Sequence, residues 1–356
     1  MKFIHTADIH WGMNPDHDKP WSRDRAQAIK DTFGKIVRQA KLRDVDFLFV
    51  AGDLFHRQPL LRDLKEINYL FSTIPGIQVV LIAGNHDRIR PNSALRSFSW
   101  CSNVTWLMDE QLSTVVFEKE HVDVTGFSYH TAEITEPLLD SVRAPESDYI
   151  HILLAHGGDP GHLPLNKCSF LDAGFSYAAL GHIHKPELAS DLSYAFPGSP
   201  EPLDKTETGR HGIVLGEISP ETHRITRLEF LPLSQALYIP LVIHVTPATT
   251  NGELGDRIMD EAAKRGLENI YRFRIKGRRD PDIRFDLSFL ERKLQVIEII
   301  DESEPQYDFS RLFAEHPGDM IGFYIRALQK EEMSPVEKKA LCYGIDALLC
   351  TTDERR

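Results

Sequence analysis

The sequence predicts an α/β chain: two packed mixed β-sheets flanked by helices, followed by a small α+β C-terminal capping domain. Three observations predict it. The opening segments alternate strand, helix, strand, helix, strand, which favours a parallel sheet with right-handed crossovers. Further strand-like runs recur up to residue 231, too many for one open sheet. From Leu237 the alternation of strand and helix restarts, and a chain of 356 residues exceeds the roughly 100–200 residues of one domain. The expected division is a larger two-sheet domain over 1–235, an α+β domain over 236–330 and a helical tail over 331–356.

Residues 2–7 and 46–51 are short apolar runs ending in polar residues, as buried strands do. Between them Ala26, Ile29, Phe33, Ile36, Val37 and Ala40 recur at three- and four-residue spacing, one apolar stripe of a helix with Ser22 as its expected N-cap. A second helix is expected near 61–73 and a third strand over 77–82. Later strands are expected at 114–117, 122–127, 149–155, 177–180, 193–196, 212–218 and 223–231. The second domain reads strand 237–245, helix 252–265, strand 269–277, helix about 286–294 and strand 295–300, with 301–306 as an exposed turn. Ser334 to Leu349 has a capped-helix start.

A hydrophobic fraction of 42% with 26% charged residues suits a globular chain and excludes wholesale disorder. No apolar run approaches the ~18 residues that span a bilayer, so no membrane association is expected. Cysteines at 101, 168, 342 and 350 form no C-x-x-C pair, which with the charged N-terminus fits a reducing, cytoplasmic setting and buried thiols. The net charge of −12 argues against a broadly basic nucleic-acid coat. Its distribution is uneven: residues 1–100 carry 15 Lys+Arg against 11 Asp+Glu, and residues 101–200 carry 4 against 14.

Five short motifs place oxygen or imidazole donors directly after expected strands: Asp8-Ile-His10, Gly52-Asp53, Gly84-Asn85-His86-Asp87, His156-Gly-Gly158 and Gly181-His182-Ile-His184. A lone D-x-H or G-D says little. Five together do more, because the carboxyl ends of strands in an α/β sheet line one edge and residues far apart in sequence converge there. Asp8, His10, Asp53, Asn85, His156, His182 and His184 make a mixed O/N set suited to Mn, Fe or Zn. Asp8/His10 and His182/His184 would point the same way in extended segments, with the glycines allowing tight turns. Two divalent ions roughly 3.5–4 Å apart need a bridge, for which a carboxylate is best; Asp53 is the candidate. Such a pair activates water and neutralises charge growing on phosphorus. His86, oriented by Asp87, is expected to donate to a phosphoryl oxygen or leaving group, with His56 on the opposite side. His5, His17, His121, His130, His151 and His162 lack such context and are expected to be structural or solvent-facing.

The pattern D-x-H, G-D, G-N-H-D, H and G-H-x-H resembles the calcineurin-like metallophosphoesterases. More narrowly, the runs from His5 to Gly12, Gly52 to His56 and Pro197 to Leu203 resemble the SbcD-type DNA-repair exonucleases, over about residues 1–232. The resemblance implies a metallophosphoesterase sandwich and a pair of manganese ions, with Fe, Zn or Mg as other metals that suit the donors. One ion would be held by Asp8, His10, Asp53 and His184, the other by Asp53, Asn85, His156 and His182, with His56 and His86 assisting catalysis. It also implies hydrolysis of a DNA phosphodiester, a coiled-coil ABC-type ATPase partner and a homodimer. Ser334 to Leu349 is the tail element offered for docking that partner. Trp11 and the loop to Trp21 depart from the pattern.

Arg57, Arg88 and Arg90 lie next to ligand motifs and are candidate DNA contacts, since phosphate binding responds to charges within about a Debye length of 8–10 Å. Arg272, Arg274, Lys276 and Arg278 would share one face of a strand while Phe273 and Ile275 pack inward, a second candidate grip on DNA. Two other functions fit the residues. A small phosphodiester, such as a cyclic nucleotide or phospholipid headgroup, would be favoured if Trp11 and Trp21 covered the site. A non-catalytic scaffold would keep the metal as a structural staple.

Overall fold

The computed structural model describes residues 1–167, 170 and 172–353, with side chains described up to residue 350. The chain resolves into two compact units, one formed by Met1–Ile239 with Glu268–Ile270, the other by Pro240–Leu267 and the chain from Tyr271 onward.

The first unit opens with β1 (Lys2–Thr6), α1 (Ser22–Arg43), β2 (Phe47–Ala51), α2 (Leu61–Ser72), β3 (Gln78–Ile82), the short α3 (Ala94–Ser97) and β4 (Val104–Trp106). It continues through β5 (Ser113–Phe117), β6 (Val122–Gly126), β7 (Ile150–His156), β8 (Tyr177–Gly181), β9 (Glu187–Leu188), β10 (Tyr194–Phe196), β11 (Gly212–Ile218) and β12 (Ile225–Pro232). Two six-stranded sheets result, ordered β12-β11-β1-β2-β3-β4 and β5-β6-β7-β8-β10-β9. β1 to β4 run parallel, as do β6, β7, β8 and β10, while β11–β12, β5 and β9 pair antiparallel. Both sheets are therefore mixed, as the sequence predicts.

Side-chain alternation along each strand explains the layering. Phe3, Phe47, Phe49, Val80 and Ile82 meet Val122, Val124, Ile152, Leu154 and Tyr177 between the sheets. Ile4, Leu48, Val50, Val79 and Leu81 face the other way, onto Ile29, Phe33, Ile36 and Val37 of α1 and Leu64, Ile67 and Phe71 of α2. Each such fully buried apolar side chain contributes about 1.5–3 kcal/mol. α1 starts one residue earlier than expected: Trp21 holds the N-cap position, and Ser22 is the first helical residue. Trp11 and Trp21 are buried; Trp11 packs edge-on against Phe33 under the Lys30 ammonium, and Trp21 Nε1 donates to Asp16 Oδ2 at 3.1 Å.

The second unit is built on β13 (Tyr238–Val245), α4 (Asn251–Arg265), β14 (Ile270–Arg279), β15 (Gln295–Asp301) and β16 (Glu304–Pro305). α4 carries a capping box, with the Thr250 side chain on Glu253 N–H and the Glu253 carboxylate on Thr250 N–H. The helix expected at 286–294 is only a 3-10 turn over Ser288–Arg292, and the expected turn at 301–306 contains β16, paired parallel to β14. Two further helices, α5 (Phe309–Glu315) and α6 (Met320–Leu328), precede α7 (Pro335–Asp353). Ile321 and Ile325 of α6 share a small core with Leu341 and Ile345 of α7, so the segment considered for docking a partner packs on its own neighbours. Among the described cysteines Cys342 is buried, Cys101 half-buried and Cys350 exposed; Cys168 lies outside the described residues. No helix among the described residues is long and apolar enough to cross a membrane.

Candidate metal centre

The seven candidate ligands sit where β1, β2, β3, β7 and β8 end, at one edge of the two facing sheets. The turn after β1 is tied to the turn after β2: Asp8 N–H donates to the Gly52 carbonyl at 3.1 Å, and His10 N–H to the Asp53 carbonyl at 3.0 Å. The segments do not stay extended, so the condition under which Asp8/His10 and His182/His184 would point the same way is not met. Asp8, His10, Asp53 and His182 have φ of 54°, 50°, 50° and 90°. Left-handed backbone at non-glycine residues costs of order 1–3 kcal/mol each and persists where surrounding structure enforces it. The glycines also act differently from expectation. Of Gly52, Gly84 and Gly181, Gly52 alone has positive φ, 88°. At Gly84 a Cβ would lie 2.2 Å from Asp53 Oδ1, and at Gly181 it would lie 1.9 Å from the Ala51 carbonyl. Both are glycines because the backbone passes too close for any side chain.

Asp53 is at the middle. Its Oδ2 lies 3.7 Å from His10 Nε2 and 3.3 Å from His156 Nε2. On one side, His10 Nε2 is 3.2 Å from His184 Nε2, which is 3.9 Å from Asp8 Oδ1. On the other, His156 Nε2 is 3.1 Å from Asn85 Oδ1. Asp8, His10 and His184 form one set of converging donor atoms, and Asp8, Asp53 and His156 another. His182 donates its backbone N–H to both Asp8 oxygens at 3.1 and 3.0 Å, but its ring nitrogen converges with Asp159 and His162.

The carboxylates of Asp8 and Asp53 are buried, and histidines, not Lys or Arg, are their described ionic partners. Burial raises the Asp8 pKa to about 6. Against the effect of burial, His156 and His10 hold Asp53 well below the usual carboxylate range. Burial likewise opposes charge on His156 and His184, yet Asp53 beside the first and Glu207 beside the second hold each up at about 9. Buried anions demand compensating charge, and this donor set of carboxylates, one amide and neutralisable imidazoles fits divalent ions.

The assisting residues are placed differently from expectation in one respect. Among the described residues the Asp87 carboxylate makes no hydrogen bond to the His86 ring; it is fully buried and accepts the backbone N–H of Phe55 at 3.1 Å and of Gly84 at 2.8 Å. His86 Nδ1 instead donates to the His56 carbonyl at 3.0 Å, and the His86 ring lies edge-on to His10, with centroids 4.7 Å apart. His56 stacks on His86 and has its Nδ1 3.2 Å from that of His10. His56, Arg57, Asn85, His86, Arg88, Arg90, Glu133 and His162 line a cavity of about 520 Å³. Neither Trp11 nor Trp21 lines it.

The basic ladder on β14 has the expected alternation, with Phe273 and Ile275 fully buried. It is not a free run of positive charge, because each cation has a carboxylate beside it. Arg272 pairs with Glu298 at 2.6 Å, Arg274 and Lys276 with Glu302 at 3.5 Å, and Arg278 with Glu304 at 3.4 Å. The neighbouring acidic residues neutralise it locally.

Near the site, the sequence does not single out Asp159 or Glu207, and it leaves His162 as structural or solvent-facing. Asp159 and His162 lie in the loop after β7, and Glu207 in the loop before β11. The one advance signal belongs to Asp159, a carboxylate three positions after the ligand His156.

The fold and donor set are those of a metallophosphoesterase: residues 1–186 match the calcineurin-like phosphoesterase family, and the chain belongs to it. Among curated relatives, it is 28% identical over 239 residues to the DNA double-strand break repair protein Mre11 of Methanopyrus kandleri, covering 59% of this chain and 52% of that protein. It is 28% identical to Mre11 of Methanocaldococcus jannaschii over 218 residues, 58% of each chain. It is also 28% identical over 289 residues to the uncharacterized metallophosphoesterase YhaO of Bacillus subtilis, 74% of this chain and 68% of that protein. The chain thus spans between about half and two-thirds of the length of these relatives.

Proposed function

We propose that the chain is a manganese-dependent phosphodiesterase that hydrolyses DNA, as an exonuclease, an endonuclease or both, in DNA repair. The observation that carries this is Asp53, a buried carboxylate set between His10 and His156 with further donors behind each. Asp8, His10, Asp53 and His184 would hold one ion, and Asp53, Asn85, His156 and His182 the other. When bound, the pair would generate a water-derived nucleophile at neutral pH and offset charge on the phosphoryl oxygens. His86, with Nδ1 committed to the His56 carbonyl, has Nε2 left for a phosphoryl oxygen or the leaving group. Arg57, Arg88 and Arg90 supply cationic contacts to phosphates on the same cavity wall.

Relatives named for DNA double-strand break repair support a DNA substrate. The burial of Trp11 and Trp21 away from this cavity removes the feature that would have favoured a small phosphodiester. A coiled-coil ATPase partner and a homodimer belong to the same proposal. The test is an assay of purified protein with manganese on linear duplex, single-stranded DNA and bis-p-nitrophenyl phosphate. DNA cleavage that falls about 10²–10⁴-fold in His86→Ala is the expected result. Turnover of the small ester without any DNA cleavage would reject the DNA reading, and no His86-dependent turnover would point to a scaffold.

A further inference from the structure

Each histidine in the candidate centre has two ring nitrogens, and a partner on one fixes which nitrogen is left for a metal. His156 Nδ1 donates to the Ala51 carbonyl at 2.8 Å. His184 Nδ1 meets Glu207 Oε1 at 2.6 Å, and His182 Nε2 meets Asp159 Oδ2 at 2.6 Å. A carboxylate on the outer nitrogen locks the tautomer and the ring plane and makes the inner nitrogen a better donor. Neither Asp159 nor Glu207 belongs to a ligand motif.

We propose that Asp159 is a positioning residue for His182, doing on one side of the centre what Glu207 does for His184 on the other. The inference rests on the metal-centre reading given under Proposed function. The two carboxylates are built alike. Asp159 Oδ1 accepts the backbone N–H of Gly161 at 2.7 Å and of His162 at 3.0 Å, and the His162 Nδ1 lies 3.1 and 3.2 Å from the two oxygens. Glu207 Oε2 accepts from Ser199 Oγ at 3.1 Å and from Leu203 N–H at 2.9 Å. In each, one oxygen is tied to its own loop or the next, and the other is aimed at an imidazole.

His162 acts as the clamp. Its ring lies 4.5 Å from that of His182, and the Asp159 carboxylate, 42% exposed, reaches both imidazoles from the side, so turning away would break both contacts. Charge gives the arrangement a purpose. Asp8 and Asp53 bring two negative charges to a pair of divalent ions carrying four positive, and Asp159 and Glu207 supply the other two at one imidazole's remove. The donor atoms of Asp159, His162 and His182 also lie within 4.8 Å of one another, so the same residues could instead gather an ion of their own, which the experiment distinguishes.

The test titrates metal-free, full-length protein with Mn²⁺, following free manganese by electron paramagnetic resonance, for wild type, Asp159→Ala and Asp159→Asn. Wild type is expected to take up two ions. Asp159→Ala should weaken one of them about 10–100-fold and leave the other within about 3-fold. Asp159→Asn, whose amide oxygen still accepts the His182 N–H, should recover most of that loss, which a merely structural role would not require. Unchanged affinity for both ions in Asp159→Ala overturns the proposal, as does loss of a third ion while two remain unaffected. Wild type that takes up no pair of ions overturns this role and the metal-centre reading together. Wild type that takes up the pair, shows the Asp159→Ala loss and hydrolyses no phosphodiester overturns the function alone.

Discussion

Asp87 accepts the backbone N–H of Phe55 at 3.1 Å across 32 residues of chain, and in doing so ties the loop that carries Asp53 to the loop that carries Asn85 and His86. The carboxylate supports backbone, and His86 takes its orientation from the His56 carbonyl instead. Asp87→Ala would leave the buried Phe55 and Gly84 N–H groups without a partner, at about 1–3 kcal/mol each. Urea unfolding of the metal-free protein should show that loss. An unchanged midpoint would show that Asp87 does not hold these loops together.

Gly84 is confined by Asp53 and His156. Its Cβ would stand 2.2 Å from Asp53 Oδ1 and 2.7 Å from His156 Nε2, whereas a Cβ on Gly76 meets nothing within 4 Å. Gly84→Ala is expected to displace the central carboxylate, costing about 1–3 kcal/mol of stability and most of the manganese affinity. Gly76→Ala should leave both unchanged. Equal manganese binding in the two variants would contradict the geometry around Asp53.

His5, beneath the centre, is fully buried and bonded through Nδ1 to the Tyr177 hydroxyl at 2.9 Å. Burial lowers its pKa from 6.5 to about 3. The unfolded chain therefore binds a proton at this residue below pH 6.5 that the folded chain refuses, and the stability contributed by neutral His5 falls as pH drops from 6.5 towards 3. A His5→Gln variant lacks this linkage. Its deficit against wild type, measured by urea unfolding, should shrink by about 2–3 kcal/mol between pH 7 and pH 4.5. A constant deficit would mean that His5 is not held neutral.

The arginines fall into two classes. Arg88→Glu or Arg90→Glu should weaken DNA binding and lower the salt slope by about one per lost phosphate contact. Arg272→Glu or Arg274→Glu should leave the slope alone, because Glu298 and Glu302 already satisfy those cations. A fall in slope for the β14 variants, measured by fluorescence anisotropy on labelled duplex, would restore the ladder as a DNA grip.

The strands and the ligand motifs were legible because both follow short rules: apolar runs alternate faces with period two, and polar residues that follow them gather at one sheet edge. Legibility ended where contacts are made between segments without periodicity. The loop after β7 gives no sign that Asp159 reaches His182, nor the loop before β11 that Glu207 reaches His184. The turned backbone at Asp8, His10 and His182 was hidden for the same reason, since left-handed φ at a non-glycine is imposed by packing. The ladder on β14 looked free because its glutamates lie on another segment, beyond 297 in the chain. The helices at 309–315 and 320–328 are short and hold together through one another and α7, so local pattern alone was a weak signal for them.

The central claim is that seven side chains from five strand ends hold a pair of cations around Asp53. Anomalous scattering from manganese-soaked crystals tests it most directly. Two peaks about 3.5–4 Å apart are predicted, one beside Asp8, His10 and His184, the other beside Asn85, His156 and His182, with Asp53 touching both. A single peak, none, or one held by Asp159, His162 and His182 alone would contradict it.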